Sequence, residues 1–281
     1  MMVEQWKRPS RLGEPGHHVL VSPDDGTVRW LTVTLHVVRA GEQLRGETGE
    51  HEYVLDLLAG TVQVLREGQP WQTVTRPGFF QHGPVLICIP PASRYAVMAE
   101  TPATLLAVHA PAPTGGDWAV VLPHDAPARD VGRGSWQRTV WPGTSTLAVT
   151  QRLLVGETLN PPGGWSSYPP HKHDTVNPPR ELPYEEVYFF RFDPPGGFGL
   201  QRIYGQHPDG TPFDVAFTVE DGDAIVIPRG YHPVVAAPGY AMGYVWALCG
   251  EGKQYGAWTE DPAHQWVGQT TRETEAAHRE R

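Results

Sequence analysis

From Leu31 the chain alternates apolar and polar positions through Leu31-Thr32-Val33-Thr34-Leu35-His36-Val37, the two-residue period of a half-buried strand. Further short runs rich in β-formers follow: Glu52-Tyr53-Val54-Leu55, Gly60-Thr61-Val62-Gln63-Val64-Leu65, Val85-Leu86-Ile87-Cys88-Ile89 and Thr104-Leu105-Leu106-Ala107-Val108-His109. Turn-forming stretches such as Arg66-Glu67-Gly68-Gln69-Pro70 separate them, which predicts an antiparallel sandwich or barrel. After the Pro/Gly-rich piece from Ala110 to Gly116, a second series is expected at 147–150, 152–156, 186–192, 199–204, 213–219, 224–228 and 240–248. Two of its segments echo the first half. Glu186-Val187-Tyr188-Phe189 resembles Glu52-Tyr53-Val54-Leu55, and Ile225-Val226-Ile227-Pro228-Arg229 resembles Ile87-Cys88-Ile89-Pro90-Pro91, so the chain reads as a duplicated β-domain. The expected division is 1–125, 126–267 and a polar tail at 268–281 that frays or forms a short surface helix, with residues 1–27 wrapping the outside of a barrel.

Composition narrows the class of protein. The 281 residues, 40% of them hydrophobic, can fill two ordinary cores, and the 31 glycines and 29 prolines punctuate strands without forming a low-complexity tract. A net charge of −9 with no cluster of Lys and Arg argues against nucleic acid as a partner. Cys88 and Cys249 sit in apolar runs as small core residues, and no stretch approaches the ~18 apolar residues of a membrane span. A reducing cytoplasm is expected.

The chemistry concentrates in the second half. In Tyr168-Pro169-Pro170-His171-Lys172-His173-Asp174, residues i and i+2 of a strand aim two imidazoles at one point. Glu185 and Glu186 open the next apolar strand facing opposite ways; Glu186 is chosen as the inward one, with Tyr188 and Phe190, leaving Glu185, Val187 and Phe189 to be covered by an apolar layer. His232 follows the turn Pro228-Arg229-Gly230. His171, His173, Glu186 and His232 together would hold one divalent ion (Zn, Mn, Fe or Ni), with coordination positions left for substrate oxygens. At the corresponding places the first half has Glu47-Thr48-Gly49-Glu50-His51-Glu52 and Ser93-Arg94-Tyr95, so it is expected to be metal-free scaffold and part of a subunit interface.

The two motifs, Gly164…His171-Lys172-His173…Glu186 and Gly222…Pro228-Arg229-Gly230-Tyr231-His232, resemble those of the cupin superfamily. The runs Arg133-Gly134-Ser135-Trp136-Gln137-Arg138, Trp165-Ser166-Ser167-Tyr168, Gly197-Phe198-Gly199-Leu200-Gln201-Arg202-Ile203-Tyr204 and Asp221-Gly222-Asp223 are similar to the 5-deoxy-glucuronate isomerase family, bicupin enzymes of bacterial myo-inositol catabolism. The resemblance spans roughly residues 28 to 260 and is specific in the second half. It implies an all-β chain of two cupin barrels, the second catalytic, and a metal-dependent aldose–ketose isomerisation giving 2-deoxy-5-keto-gluconate.

Such a reaction needs a base that reaches two adjacent carbons, for which Tyr204 and Tyr188 are the candidates. Arg202 could bind the sugar carboxylate, with Lys172 and Tyr231 as further substrate contacts. Edge strands of the first domain invite pairing into a homodimer or larger oligomer. The rival functions are the related uronate isomerase of pectin breakdown, a cupin dioxygenase and a non-catalytic sugar-binding cupin.

Overall fold

Alternating burial turns most of these runs into strands of two sheet systems. The computed structural model describes residues 3–66, 69 and 71–269; the expected turn at 66–70 lies partly outside them and most of the expected tail wholly so. The first system is a nine-stranded sheet in which Ala119–Val121, Leu86–Ile89, His51–Arg66, Ala103–Pro111, Thr32–Val38 and Gly16–Val21 lie in that order. The runs expected at 52–55 and 60–65 are one continuous strand, His51–Arg66, whose second half pairs with Gln72–Arg76 and Arg94–Ala99. Its register shifts between Leu57 and Ala59. At Gly60, φ is +111° and a Cβ would stand 2.6 Å from the Ala103 Cβ, so only glycine lets the strand change sheets there.

The second system has a seven-stranded sheet ordered Lys7–Arg8, Ala224–Ile227, Tyr184–Asp193, Ala241–Gly250, Leu154–Asn160, Arg138–Trp141, Arg129–Val131. A four-stranded sheet of Trp165–Ser166, Val234–Ala236, Phe198–Gln206 and Pro212–Glu220 faces it. Between them lie Phe190, Phe192, Ile203, Ile225, Ile227 and Met242, a second core distinct from the one inside the first system around Leu55, Leu57, Val62, Ile87 and Leu105. Strand allegiance changes between Val121 and Arg129. The start of the chain does not follow that division. Instead of wrapping a barrel, Trp6 is buried in the second system's core, and Lys7 and Arg8 pair with Ile225 and Ala224.

The apolar layer required outside Glu186 is the other half of the chain. Val187 and Phe189 of the Tyr184–Asp193 strand, with Val226, Val245 and Ala247, form one core with Val33, Leu35, Val54, Leu106 and Val108. Each Val, Leu or Phe among them contributes about 1.5–3 kcal/mol by leaving water. Arg76 crosses this seam, donating bidentately to Glu157 at 2.7 and 2.8 Å and to Asp56 at 3.2 Å. All three are buried, and burial with the neighbouring Glu157 raises the Asp56 carboxyl well above its usual range.

Two glutamates stitch the seam reciprocally. Glu185 accepts from the backbone N–H groups of Arg29, Trp30 and Leu31 at 2.6–2.8 Å. Glu52 accepts from those of Gln151, Arg152 and Leu153 at 2.6–2.8 Å. Each segment so held leads directly into a strand, Thr32–Val38 or Leu154–Asn160. These bonds shift the sequence echo by one residue: Glu52 corresponds to Glu185, and Tyr53, paired with Ile89, takes the place of Glu186, paired with Ile227. The strand expected at 147–150 is absent, its residues forming the turn after the short helix Gly143–Thr146, and the one expected at 152–156 starts two residues late. N–H groups given to Glu52 are lost to a ladder, and the strand begins at Leu154.

No helix among the described residues is long and apolar enough to cross a membrane. Cys88 and Cys249 are buried free thiols.

Candidate metal centre

Glu186 is carried inward on the Tyr184–Asp193 strand, in register with Ile227 and Leu248 on its two neighbours. Two imidazoles converge on its carboxylate. His173 Nε2 lies 3.0 Å and His232 Nε2 3.3 Å from the same oxygen, Oε2. All three residues are buried, and one donor atom from each lies within 4.8 Å of the others. His171 begins the short strand His171–Lys172, paired with Thr259–Glu260, and its ring stands edge-on to His232 at 4.7 Å between centroids. It flanks the converging set of three without belonging to it.

Backbone geometry fixes the rings. His232 donates from Nδ1 to the Gly230 carbonyl at 2.9 Å, and His173 from Nδ1 to the Tyr184 carbonyl at 3.0 Å. Both bonds leave Nε2 to face the carboxylate. Gly230 turns at φ +89°, where a Cβ would meet the Tyr204 carbonyl oxygen at 2.7 Å. Gln201 secures the far side by donating to the His232 carbonyl at 2.7 Å.

Burial lowers the pKa of His232, and of His171, to about 3, so both are neutral near pH 7; the hydrogen bond and charge of Glu186 outweigh burial at His173 and raise its pKa. A neutral His232 that donates from Nδ1 presents a bare lone pair at Nε2, and this buried atom has no hydrogen-bond partner. An acceptor nitrogen 3.3 Å from a carboxylate oxygen with no proton between them is the arrangement a cation satisfies. The donor set therefore fits a divalent metal.

The centre opens into a cavity of about 290 Å³ lined also by Arg138, Ser166, Ser167, Tyr188, Tyr244 and Trp258. The Tyr188 and Tyr244 hydroxyls are bonded to Ser167 at 2.7 Å and Ser166 at 2.5 Å, and burial raises both phenols.

Four other residues singled out from the sequence do not line this cavity. Tyr204 donates its hydroxyl to Asp261 at 2.5 Å and lies tilted against Tyr231, with ring centroids 5.3 Å apart, outside it. Arg202 lies on the outward phase of its strand, bidentate to Asp214 at 2.8 and 2.6 Å. Lys172 is a brace: it binds Asp174, Thr175 and Glu181, and Asp174 in turn accepts from the Gly230 N–H at 2.9 Å, tying the loop after His173 to the turn before His232. Sequence periodicity missed Arg138, Tyr244 and the Ser166–Ser167 pair. The Arg133–Arg138 and Trp165–Tyr168 runs stood out only through a resemblance.

Comparison with known proteins agrees with this architecture. A model of the KduI/IolB family matches residues 7–267. A 5-deoxy-glucuronate isomerase of Geobacillus thermodenitrificans is 32% identical over 256 residues, covering 90% of this chain and 92% of its own; one from Bacillus subtilis strain 168 is 28% identical over 256 residues. The crystal structure of an IolB-like protein from Salmonella typhimurium superposes with a TM-score of 0.82 at 27% identity, covering 91% of this chain and 97% of that one. Bacillus subtilis oxalate decarboxylase, at 10% identity and a TM-score of 0.61, shares the cupin fold.

Proposed function

The chain belongs to the KduI/IolB family, and on that footing we propose that its cavity isomerises 5-deoxy-glucuronate to 2-deoxy-5-keto-gluconate. The observation that carries the metal dependence is the buried, unpartnered His232 Nε2 beside Glu186. His173, Glu186 and His232 would hold one divalent ion, Zn, Mn, Fe or Ni, with His171 as the fourth ligand from its place against His232. Bound there, such an ion polarises the carbonyl and neighbouring hydroxyl of an open-chain aldose.

The chain's own hydroxyls handle protons on oxygen. An aldose–ketose shift must protonate one substrate oxygen and deprotonate its neighbour, and Tyr188 lines the cavity with its O–H paired to Ser167. Burial raises its pKa, so Tyr188 is a phenol near neutral pH and serves as a proton donor at oxygen, while the base that moves the carbon-bound proton is a separate role. Tyr204, already bonded to Asp261 outside the cavity, has no such part. The free thiols of Cys88 and Cys249 suit a reducing cytoplasm. The edge strand Gly16–Val21, with Val19 64% exposed, offers a surface for self-association.

The test is turnover of 5-deoxy-glucuronate by the protein as purified, after chelation, and after metal restoration. Activity should vanish and return with the metal, and His232→Ala should lower both metal content and kcat/KM, the latter by about 10³-fold or more. A folded, metal-loaded protein that leaves this sugar acid unchanged would refute the assignment.

A further inference from the structure

Resting on the isomerase reading above, we propose that Arg138 receives the carboxylate of the sugar acid and so makes the cavity select uronates over neutral aldoses. Arg138 begins the strand Arg138–Trp141, pinned between Arg129–Val131 and Leu154–Asn160, and its side chain lines the cavity that holds the metal centre. Only Nη1 is engaged, donating to the carbonyls of Trp136 at 3.1 Å and Tyr168 at 3.3 Å. Among the described residues Nε and Nη2 make no hydrogen bond, and no carboxylate pairs with the guanidinium. These two free donors lie along one edge of the group, the edge that grips a carboxylate bidentately.

Several arginines elsewhere are already engaged. Arg76, Arg191 and Arg202 each engage an acidic side chain through the guanidinium. Arg152 lacks one, but it spreads its donors over the Gly250 and Pro111 carbonyls at the seam between the two halves, away from any cavity. Arg129 also lines this cavity but is exposed to solvent, so Arg138 is the more buried of the two arginines there, with two donors unspent. Its surroundings are aromatic: its charge acts on Tyr188, Tyr244, Tyr255 and His171, and burial pushes its pKa down. An Arg keeps its proton there all the same, so the site holds a desolvated cation that lacks an anion.

An anionic ligand of matching shape would neutralise it. A sugar acid held by its carboxylate at Arg138 directs its opposite, aldehyde end into the remainder of the cavity, where Glu186, His173 and His171 lie. The residue thereby fixes which end of the chain reacts.

The experiment compares wild type, Arg138→Gln and Arg138→Lys, all metal-loaded, on 5-deoxy-glucuronate and on the same aldose with its carboxylate reduced to a primary alcohol. For the acid, Arg138→Gln should lower kcat/KM by about 100-fold, chiefly through KM, with partial recovery in Arg138→Lys. For the alcohol, the three proteins should agree within about twofold. An equal loss on both substrates, or no loss on the acid, overturns the role of Arg138 while leaving the isomerase assignment intact. If wild type turns over neither compound, that assignment fails, and calorimetric binding of the two compounds decides the matter. Acid binding that is lost in Arg138→Gln supports the anchor; acid binding that is absent in wild type or unchanged in the variant overturns it.

Discussion

At the scale of single residues, a neutral imidazole inside a β-structure is a site that the unfolded chain protonates more readily than the folded one. His36, against His17, and His109, against His51 and the face of Tyr53, are both lowered from 6.5 to about 4, burial being the first cause. Because the folded values are depressed, this stability is complete above the unfolded pKa of 6.5 and is lost as pH falls toward 4. After discounting for their partial exposure, the two together should cost of the order of 2 kcal/mol on going from pH 7 to pH 5. Urea denaturation at the two pH values should show a smaller loss in His36→Gln/His109→Gln than in wild type, and an equal loss would contradict the assignment. The histidines of the candidate metal centre stood out in the sequence because each had a local signal, an i, i+2 pair or a Pro-x-Gly turn, although His171 flanks the converging set rather than joining it. Arg202 misled because strand alternation identifies two faces without saying which is inward. Here Gly199, Gln201 and Ile203 took the inner one.

At the scale of elements, Glu52 and Glu185 do by side chain what a ladder does by backbone, each satisfying three consecutive N–H groups of the other half. A carboxylate accepts in all directions, whereas an amide in its place turns a donor toward those groups. Glu185→Gln should therefore destabilise the protein by about 2 kcal/mol in urea denaturation, with the midpoint lowered and the slope unchanged. A change below about 0.5 kcal/mol would show that water replaces the lost acceptor. Strand identity was legible for most of the chain because it depends on near neighbours. The clamps were not: Glu185 finds its partners 154 to 156 positions away, and nothing local marks a carboxylate as a cap for a distant segment. The same blindness put the echo one residue out of step, since Glu52 aligns by letter with either member of the Glu185-Glu186 pair.

At the scale of the whole molecule, one core joins the two sheet systems, so neither half has a complete exterior of its own. Separated, residues 126–281 would expose Val187, Phe189, Val226, Val245 and Ala247 to water and strand Glu157 without Arg76. Expressed alone, that piece should aggregate or lack a cooperative thermal transition; a soluble, two-state monomer would contradict the shared core. The paired strand of Lys7 and Arg8 adds an ordering in time. Lys7 donates to the carbonyl of Thr218, 211 positions further along, and its strand partner Ile225 lies beyond that. At about 5–20 residues per second of synthesis, Lys7 spends roughly 10–40 s outside the ribosome before its partners exist. The first strand of the described residues is thus paired only after a partner made more than 200 positions later, and the half that carries the candidate metal centre closes on a segment synthesised long before it.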